Sequence, residues 1–297
     1  MNQSDNVLVI GSGIAGLKAS LMLSKVGKKV TLVEKLSLIG GKTIKNEETF
    51  PNLDCSTCLV APIQQEILQD DNIDVLTSST IEKLTGEAGN FTISINKKAA
   101  CVDPVACLGC GMCYPPCPVE LINEWEEYLT NKKAIYVPCS GALPNVPVIN
   151  AEKCLQLSGK ESCNKCVEAC MFGAIDLSKQ DEQVEVKAGA IIVATGYDML
   201  DVSSIENLGY KKFDGVYTSM EFERLFAANG PTEGKLTMRD GERVPASIAI
   251  IHCVGRSETK YCSNVCCMAS SKHAHFLKHK LPDAKIYNFY QDICLSD

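Results

Sequence analysis

The sequence lacks the features expected of a secreted, membrane-spanning or nucleic-acid-binding chain. Its 297 residues include 29 Lys and Arg and 36 Asp and Glu, so the net charge is negative. A protein that binds the phosphate backbone of a nucleic acid needs an excess of basic residues instead. No apolar run reaches the roughly 18 residues of a membrane span. The polar start Met1–Asn6 leads straight into a strand pattern, without a visible secretory signal. We therefore expect a cytoplasmic chain with no direct membrane span and no nucleic-acid partner.

Tryptophan and histidine are also scarce, with one and four residues, whereas cysteine is abundant, with seventeen. An odd number of cysteines excludes complete internal pairing, and the chain is far longer than a small disulfide-stapled scaffold. In a reducing compartment this composition favours metal or redox chemistry. No acid–base pair or activated nucleophile stands out, as expected when cofactors carry the chemistry.

A glycine-rich turn follows the first predicted strand. The apolar run Val7–Ile10 predicts a buried parallel strand, and a helical pattern begins in the turn that follows. Gly11 permits the tight turn, Gly13 lets a pyrophosphate approach the backbone, and Gly16 lets helix and strand pack closely. The helix N-terminus would then face the phosphates. The pattern predicts a Rossmann-type dinucleotide site, with an ordinary strand–turn–helix as the alternative.

Residues further along favour FAD over NAD. The second predicted strand, Val30–Glu34, ends in a carboxylate that can bind the ribose hydroxyls. Gly40 and Gly41 follow it closely, as in many flavoproteins with two dinucleotide domains, and Ala194–Gly196 is similar to the Ala-Thr-Gly strand end of the same proteins. The predicted cofactor-binding residues are Gly11, Gly13, Ala15, Gly16, Glu34, Lys35, Gly41, Ala194, Thr195 and Gly196.

A cysteine-rich block lies between Asn90–Ile95 and Gln183–Lys187, two alternating segments that predict hairpin strands of the flavin domain. The block holds a bacterial ferredoxin run and a second run with a longer first gap. In two-cluster ferredoxins the last cysteine of each run ligates the other cluster. One predicted 4Fe–4S set is therefore Cys107, Cys110, Cys113 and Cys170. The other is Cys117, Cys154, Cys163 and Cys166. Zinc also binds four thiolates, but three cysteines within seven residues favour a cubane.

A second nucleotide-binding-like domain is predicted to begin with the strand Ala246–Ile251, but the expected glycine loop is missing. NAD(P) binding is therefore poorly supported there. Four thiols stand in its place: Cys253, Cys262, Cys266 and Cys267. They could hold a third cluster, or form a buried or redox-active group, because adjacent cysteines are unusual as cluster ligands.

The remaining cysteines and the histidines carry weaker signals. Cys55 and Cys58 fit a dithiol, half of a cluster site or a pair of structural thiols. Three cysteines without a partner at a recognisable spacing are predicted to be ordinary thiols: Cys101, Cys139 and Cys294. Three histidines are predicted to form a solvated basic face with Lys272, Lys278 and Lys280: His273, His275 and His279. His252 is predicted to be structural.

Together these residues resemble the A-type subunit of heterodisulfide reductase and its relative, the A-type subunit of the quinone-interacting membrane-bound oxidoreductase complex. The resemblance includes the glycine loop, the segment Phe50–Cys58, the ferredoxin insertion, Ala134–Pro138 and Asn229–Gly234. It is most specific from Cys253 to Met268. It implies that the four thiols of that segment hold an unusual 4Fe–4S cluster near the flavin.

The resemblance implies an iron–sulfur flavoprotein of anaerobic metabolism. FAD would exchange electrons in pairs and the clusters would pass them singly to other redox subunits, with flavin-based bifurcation in some heterodisulfide reductases. The quinone-linked relatives instead connect a reductase to a subunit in the membrane. Further alternatives are a self-contained NAD(P)H-dependent flavin oxidoreductase and a zinc scaffold, and a homodimer stays open.

The expected fold is α/β, with a Rossmann-like, thioredoxin reductase-like FAD domain over 1–98 and 179–245. A ferredoxin-like domain for two 4Fe–4S clusters is inserted at 99–178, and a partial second Rossmann-like domain with the cysteine cluster covers 246–297. The family's Gly-Ser-Arg is replaced here by Gly255-Arg256-Ser257. The resemblance also implies that relatives continue beyond the segment matching Asn288–Asp292 and add contacts to FAD. We therefore expect the last strand, helix and strand to pack on the flavin domain or on a partner.

Overall fold

The computed structural model describes residues 5–238 and 240–295, which fall into two compact units. The first comprises Met1–Ile44 and Thr57–Gly196, and the second comprises Lys45–Ser56 and Tyr197–Asp297. The cysteine-rich block therefore groups with the first part of the predicted flavin domain, whereas residues 197–245 group with the C-terminal segment. The predicted domain boundaries stay a prediction. Residues 1–4, where no signal was predicted, lie outside the described part.

The described residues form thirteen strands and six α-helices. The strands are β1 (Asn6–Ile10), β2 (Lys29–Val33), β3 (Ile73–Leu76), β4 (Ser79–Glu87), β5 (Asn90–Lys97), β6 (Glu120–Ile122), β7 (Asn131–Lys133), β8 (Ile135–Tyr136), β9 (Val148–Ile149), β10 (Glu182–Ala188), β11 (Ala190–Val193), β12 (Ser247–Ile251) and β13 (Lys285–Phe289). The helices are α1 (Ile14–Lys25), α2 (Ser56–Gln69), α3 (Lys165–Glu168), α4 (Ser219–Phe226), α5 (Arg256–Thr259) and α6 (Cys266–Lys280). Short 3-10 helices cover Gly41–Lys45, Val202–Ser204 and Glu206–Leu208.

A four-stranded parallel sheet organises the first unit, in the order β11-β1-β2-β3. Its strands read as apolar runs because both faces are covered, and Leu8, Val9 and Leu32 are fully buried. Helix α1 packs Leu17 and Leu21 into one core with Val9 and Leu32. The predicted strands β1, β2 and β11 and the intervening helix are confirmed.

A three-stranded antiparallel sheet, in the order β10-β5-β4, packs beside it. Ile93 and Ile95 of β5 are fully buried and share a core with Leu8 and Val33 of the parallel sheet. The predicted pairing of β5 with β10 is confirmed. Because the chain leaves β5 and returns in its direct neighbour, the intervening segment can be long without disturbing either sheet.

The cysteine-rich segment carries little regular structure. It contains the antiparallel pairs β6–β7 and β8–β9, and a bridge between Val102 and Ile175 joins its two ends. Its small core includes Val102, Ile135 and Ile175 together with the buried Cys113. With so few apolar side chains, bound groups would have to contribute much of its cohesion.

The second unit contains the predicted strand–helix–strand. Strands β12 and β13 pair in parallel, and α6 lies between them in the chain. Helix α4 begins with a capping box, in which Thr218 and Glu221 each bond the other's backbone. Within the described part of the chain, no helix combines the length and apolar character needed to cross a bilayer.

Candidate flavin and cluster sites

The glycine loop is tight at two positions and open at the third. Gly11 has a φ of +99°, and a Cβ there would lie 2.4 Å from the Ala194 carbonyl oxygen. A Cβ at Gly16 would lie 1.8 Å from the Gly11 carbonyl oxygen, whereas one at Gly13 would meet nothing within 4 Å. The loop therefore packs against the protein at Gly11 and Gly16 and has free space at Gly13, where the phosphates were predicted.

The start of α1 suits an anion. Its N-cap, Gly13, is extended, and no side chain caps the helix or places an acid in its first turn. The first amide groups of a helix have no partner within the helix and carry its positive dipole end. Ala15 is exposed in this first turn. These amides can donate to a pyrophosphate at Gly13.

Glu34 braces the loop from the end of β2. Its buried carboxylate accepts hydrogen bonds at Oε2 from the Ser12 amide (2.8 Å) and hydroxyl (2.7 Å), and at Oε1 from the Leu36 amide (2.8 Å). Sequence reasoning predicted only its contact with a ribose and missed this bracing role. A carboxylate has about four acceptor positions, so room for a ribose hydroxyl remains.

The remaining residues predicted to bind the flavin lie at the carboxyl end of the parallel sheet, and some of them are exposed there. The Gly40 amide donates to the Ser12 carbonyl at 2.8 Å, and a Cβ at Gly41 would lie 2.7 Å from the Gly13 Cα. Gly11, Gly13, Gly16, Gly41 and Ala194 are thus gathered at the carboxyl end of β1. Three predicted residues are exposed at the strand ends: Lys35, Thr195 and Gly196.

Two pockets in the cysteine-rich segment are each lined by four cysteines. One is lined by Cys107, Cys110, Cys113 and Cys170. The other is lined by Cys117, Cys154, Cys163 and Cys166. These are the two predicted sets, including the exchange of the last cysteine of each run. Apolar side chains such as Ile175 and Ile149 complete the two walls. Four thiols in an apolar wall fit a 4Fe–4S cluster.

Backbone amides also point at sulfur in this segment. The Gly109 amide donates to Cys107 Sγ and the Ala174 amide to Cys170 Sγ, each at 3.4 Å. Such bonds favour thiolates and tune the reduction potential of a bound cluster. Burial raises the pKa of Cys113 and of Cys166 to about 11. Iron binding must therefore displace protons from these two thiols.

Over residues 5–238 and 240–295, no group of three or more His, Cys, Asp or Glu side chains is arranged to hold a metal ion as the side chains stand.

The second cysteine group lies at the end of β12 and the start of α6. Cys253 follows β12, Cys266 and Cys267 open α6, and the Asp292 carbonyl lies 3.6 Å from Cys253 Sγ and 3.9 Å from Cys267 Sγ. The Asn264 amide donates to Cys262 Sγ at 3.4 Å. Backbone hydrogen bonds at Asp292 and Gln291, aided by Arg256, lower the pKa of Cys253.

Cys294, predicted to be an ordinary thiol without a partner, contacts this group. Its amide donates to Cys267 Sγ at 3.4 Å and its thiol to the Asn264 side-chain oxygen at 3.3 Å. The prediction of an ordinary thiol stays a prediction, but sequence reasoning missed these contacts because no short spacing links Cys294 to the other thiols. The parallel pairing of β13 with β12 carries the segment after β13 to them.

Cys55 and Cys58 are both disulfide-bonded, while the other fifteen cysteines form no disulfide. Of the three possibilities raised by the sequence, this arrangement corresponds to a dithiol in its oxidised form. Neither sulfur is free to complete a cluster in this state. Both residues are exposed, next to the start of α2.

The predicted basic face of α6 is wrong at two positions. Lys272 and His273 are buried, and both contact the carboxylate of Glu223 in α4. His275 and His279 are exposed, as predicted. The lysine spacing misled the sequence reasoning because the partner carboxylate lies 50 residues from His273. His252 bonds Asn288 across the β12–β13 pair at 3.0 Å, in keeping with a structural role.

Comparison with known proteins agrees with the class that this fold and site define, a flavin-binding α/β protein. The family model described as FAD binding domain matches residues 6–46, from β1 through the Gly41–Lys45 turn. A solved structure of L-proline dehydrogenase from P. horikoshii aligns with a TM-score of 0.42 and 10% identity, covering 95% of this chain and 34% of that one.

Two curated relatives match nearly the whole chain. One is the A-type subunit of the "H(2):CoB-CoM heterodisulfide,ferredoxin reductase" of Methanothermobacter marburgensis, 40% identical over 97% of this chain and 44% of its own length. The other is the second A-type iron–sulfur subunit of the "CoB--CoM heterodisulfide reductase" of Methanopyrus kandleri, 42% identical over 98% of this chain and 44% of its own length. The predicted resemblance to the A-type subunits of heterodisulfide reductases is confirmed. The chain spans less than half the length of these relatives.

Proposed function

We propose that this chain is an FAD- and 4Fe–4S-containing electron-transfer subunit of a heterodisulfide reductase-like complex. The observation that carries the proposal is the lining of two separate pockets by four cysteines each, with the last cysteine of each run exchanged. That exchange is the mark of a two-cluster ferredoxin. Thiols that served only to fill a hydrophobic core would have no reason to show this exchange between the two runs.

The flavin would bind at the carboxyl end of β1. The amides of the Gly11 loop and of the first turn of α1 would hold the pyrophosphate, with Gly13 as the point of closest approach. Glu34 would accept a ribose hydroxyl while it keeps the loop in place through Ser12. Ala194–Gly196 would line the neighbouring strand end.

The clusters would be held by the three cysteine sets. Eight thiols of the inserted segment would bind two clusters, and Cys253, Cys262, Cys266 and Cys267 would bind a third. The name of the Methanopyrus relative, an iron–sulfur subunit, supports iron–sulfur cofactors in the family. When bound, FAD exchanges electrons in pairs and the clusters carry them singly, so together they convert between two-electron and one-electron partners.

Other redox subunits would be the partners, since the relatives are named as A-type subunits of reductases for heterodisulfide and, in one case, ferredoxin. We place the complex in the cytoplasm. Flavin-based bifurcation and a quinone-linked relay are the two modes to test, and a homodimer is a further form of assembly to test.

The test is iron, acid-labile sulfide and FAD content per chain after anaerobic purification. We expect about twelve irons and one FAD. Cys110→Ala should lose about four irons, because Cys110 lines one cysteine pocket. The matched control is Cys101→Ala, which removes a free thiol that is not among the residues lining either pocket. A purified protein that contains only zinc, or equal iron loss in both variants, would contradict the proposal.

A self-contained NAD(P)H oxidoreductase makes a different prediction. NADH or NADPH alone should then bleach the flavin under anaerobic conditions. We expect no bleaching, because thiols rather than a glycine loop follow β12. Rapid bleaching by either nucleotide would favour that alternative.

A further inference from the structure

The second cysteine group contains one thiol more than a 4Fe–4S cluster needs. Cys294 lies half-buried beyond the end of β13; its amide contacts Cys267 of this group, and its thiol contacts Asn264 in the loop between Cys262 and Cys266. The family resemblance accounts for Cys253, Cys262, Cys266 and Cys267 and assigns nothing to Cys294.

Asn264 connects Cys294 with Cys262. The Asn264 amide donates to Cys262 Sγ at 3.4 Å, while its side-chain oxygen accepts from the Cys294 thiol at 3.3 Å. Asn264 therefore contacts both sulfurs, that of Cys262 through its backbone amide and that of Cys294 through its side chain. On the other side, the Cys294 amide bonds Cys267 Sγ at 3.4 Å, which fixes Cys294 against the buried ligand of the set.

We propose that Cys294 is an alternative ligand that can replace Cys262 on the third cluster. In the exchange, the bond from iron to Cys262 Sγ breaks and one from iron to Cys294 Sγ forms. The proton of the Cys294 thiol passes to the released Cys262 thiolate, and no electron is transferred. This inference rests on the proposed function, since it requires a cluster at the Cys253 group.

Cys262 is the ligand to be replaced because of where the contacts lie. Cys262 precedes α6 in an exposed loop that includes Asn264, whereas Cys267 is buried at the start of the helix. Cys253 is held at the Asp292 carbonyl rather than at Asn264. A loop ligand can yield its position with the least disturbance of the other three.

The experiment measures iron content and cluster absorbance of anaerobically purified full-length variants. Alanine is used because a serine oxygen can itself bind iron. Cys262→Ala and Cys294→Ala should each keep about twelve irons, whereas the double variant and Cys253→Ala should keep about eight. Circular dichroism of the two single variants checks that they fold, and the electron paramagnetic resonance spectrum of reduced Cys262→Ala should shift, because a different sulfur binds the cluster.

Three outcomes overturn the inference. If Cys262→Ala falls to about eight irons, as Cys253→Ala does, Cys294 does not replace it. If the double variant keeps about twelve, another group supplies the ligand. If the unmodified protein itself holds only about eight, the third cluster is absent and that part of the proposed function fails together with this inference.

Discussion

At the scale of single residues, the glycines of the flavin loop have separable roles. Gly11 is required by the fold itself, because its φ is positive and a side chain would strike the Ala194 carbonyl. Gly13 has an ordinary φ of −66° and open space around it. The protein itself therefore does not require glycine at this position, in keeping with the proposed approach of a pyrophosphate.

This difference predicts opposite behaviour for two alanine variants. Gly13→Ala should leave the free energy of unfolding within about 1 kcal/mol of the unmodified value, because the backbone conformation accepts alanine. FAD affinity should fall by about tenfold or more, since the new methyl group occupies the approach of the pyrophosphate. Gly11→Ala should lower the unfolding midpoint even without flavin. The measurements are FAD titration and urea unfolding of the flavin-free protein, and unchanged FAD affinity in Gly13→Ala would place the phosphates elsewhere.

At the scale of elements, a buried charge cluster joins α4 to the helix that carries two of the thiols. Glu223 contacts both Lys272 and His273, and Lys272 also donates to the Glu48 carbonyl at 2.8 Å. The ring of His273 packs edge-on against Phe222, with centroids 5.0 Å apart. Because α6 begins with Cys266 and Cys267, this cluster fixes the helix that presents them.

Burial opposes ionisation of Glu223, but the hydrogen bond from His273 and the charges of His273 and Lys272 outweigh it and lower its pKa below the ordinary 4.5. Glu223→Gln should therefore destabilise the fold by on the order of 3–5 kcal/mol at pH 7, where it leaves Lys272 buried without its counter-charge. The ionised carboxylate stabilises the folded state above the unfolded-state pKa. That stabilisation is lost as pH falls below 4.5 and through the folded-state pKa.

Urea unfolding of the metal-free chain at pH 7 and pH 4 measures this effect. The difference in the free energy of unfolding between the unmodified chain and Glu223→Gln should be smaller at pH 4 than at pH 7. The matched control is Glu206→Gln, which breaks an exposed pair with Lys212 and should change stability little. Equal losses in the two variants, or a loss independent of pH, would contradict the assignment.

At the scale of the whole molecule, the proposed flavin site and the two proposed cluster sites share no residue. The flavin residues follow β1, β2 and β11, whereas both cysteine pockets are lined by residues between Val102 and Ile175. The two sites therefore have separate supports, although they belong to one compact unit.

Because the two kinds of site are formed by different segments, we expect FAD and the clusters to bind independently of each other. Reversible removal of FAD at high salt should leave the iron content and cluster absorbance unchanged, because no cysteine of the two pockets lies in the flavin loop. Chelation of the iron should in turn leave FAD bound. Iron and flavin analysis of both stripped forms checks this, and joint loss of the two cofactors would show that the sites depend on each other.

The sequence by itself determined the elements whose reason is local. A glycine loop between an apolar run and a helix pattern specifies the β1–α1 turn, since only glycine accepts the φ at Gly11. Ferredoxin spacing likewise predicted which four cysteines line each pocket, because the pattern contains the exchange of Cys117 and Cys170.

Tertiary structure alone decided the contacts between residues far apart in the chain. Glu34 bonds Ser12 across 22 residues, Glu223 reaches His273 across 50, and Cys294 reaches Cys267 across 27. None of these separations along the chain corresponds to a helix or strand repeat, so no pattern in the sequence predicts the contacts. They arise because strand pairing and helix packing bring together buried groups that must find hydrogen-bond partners away from water.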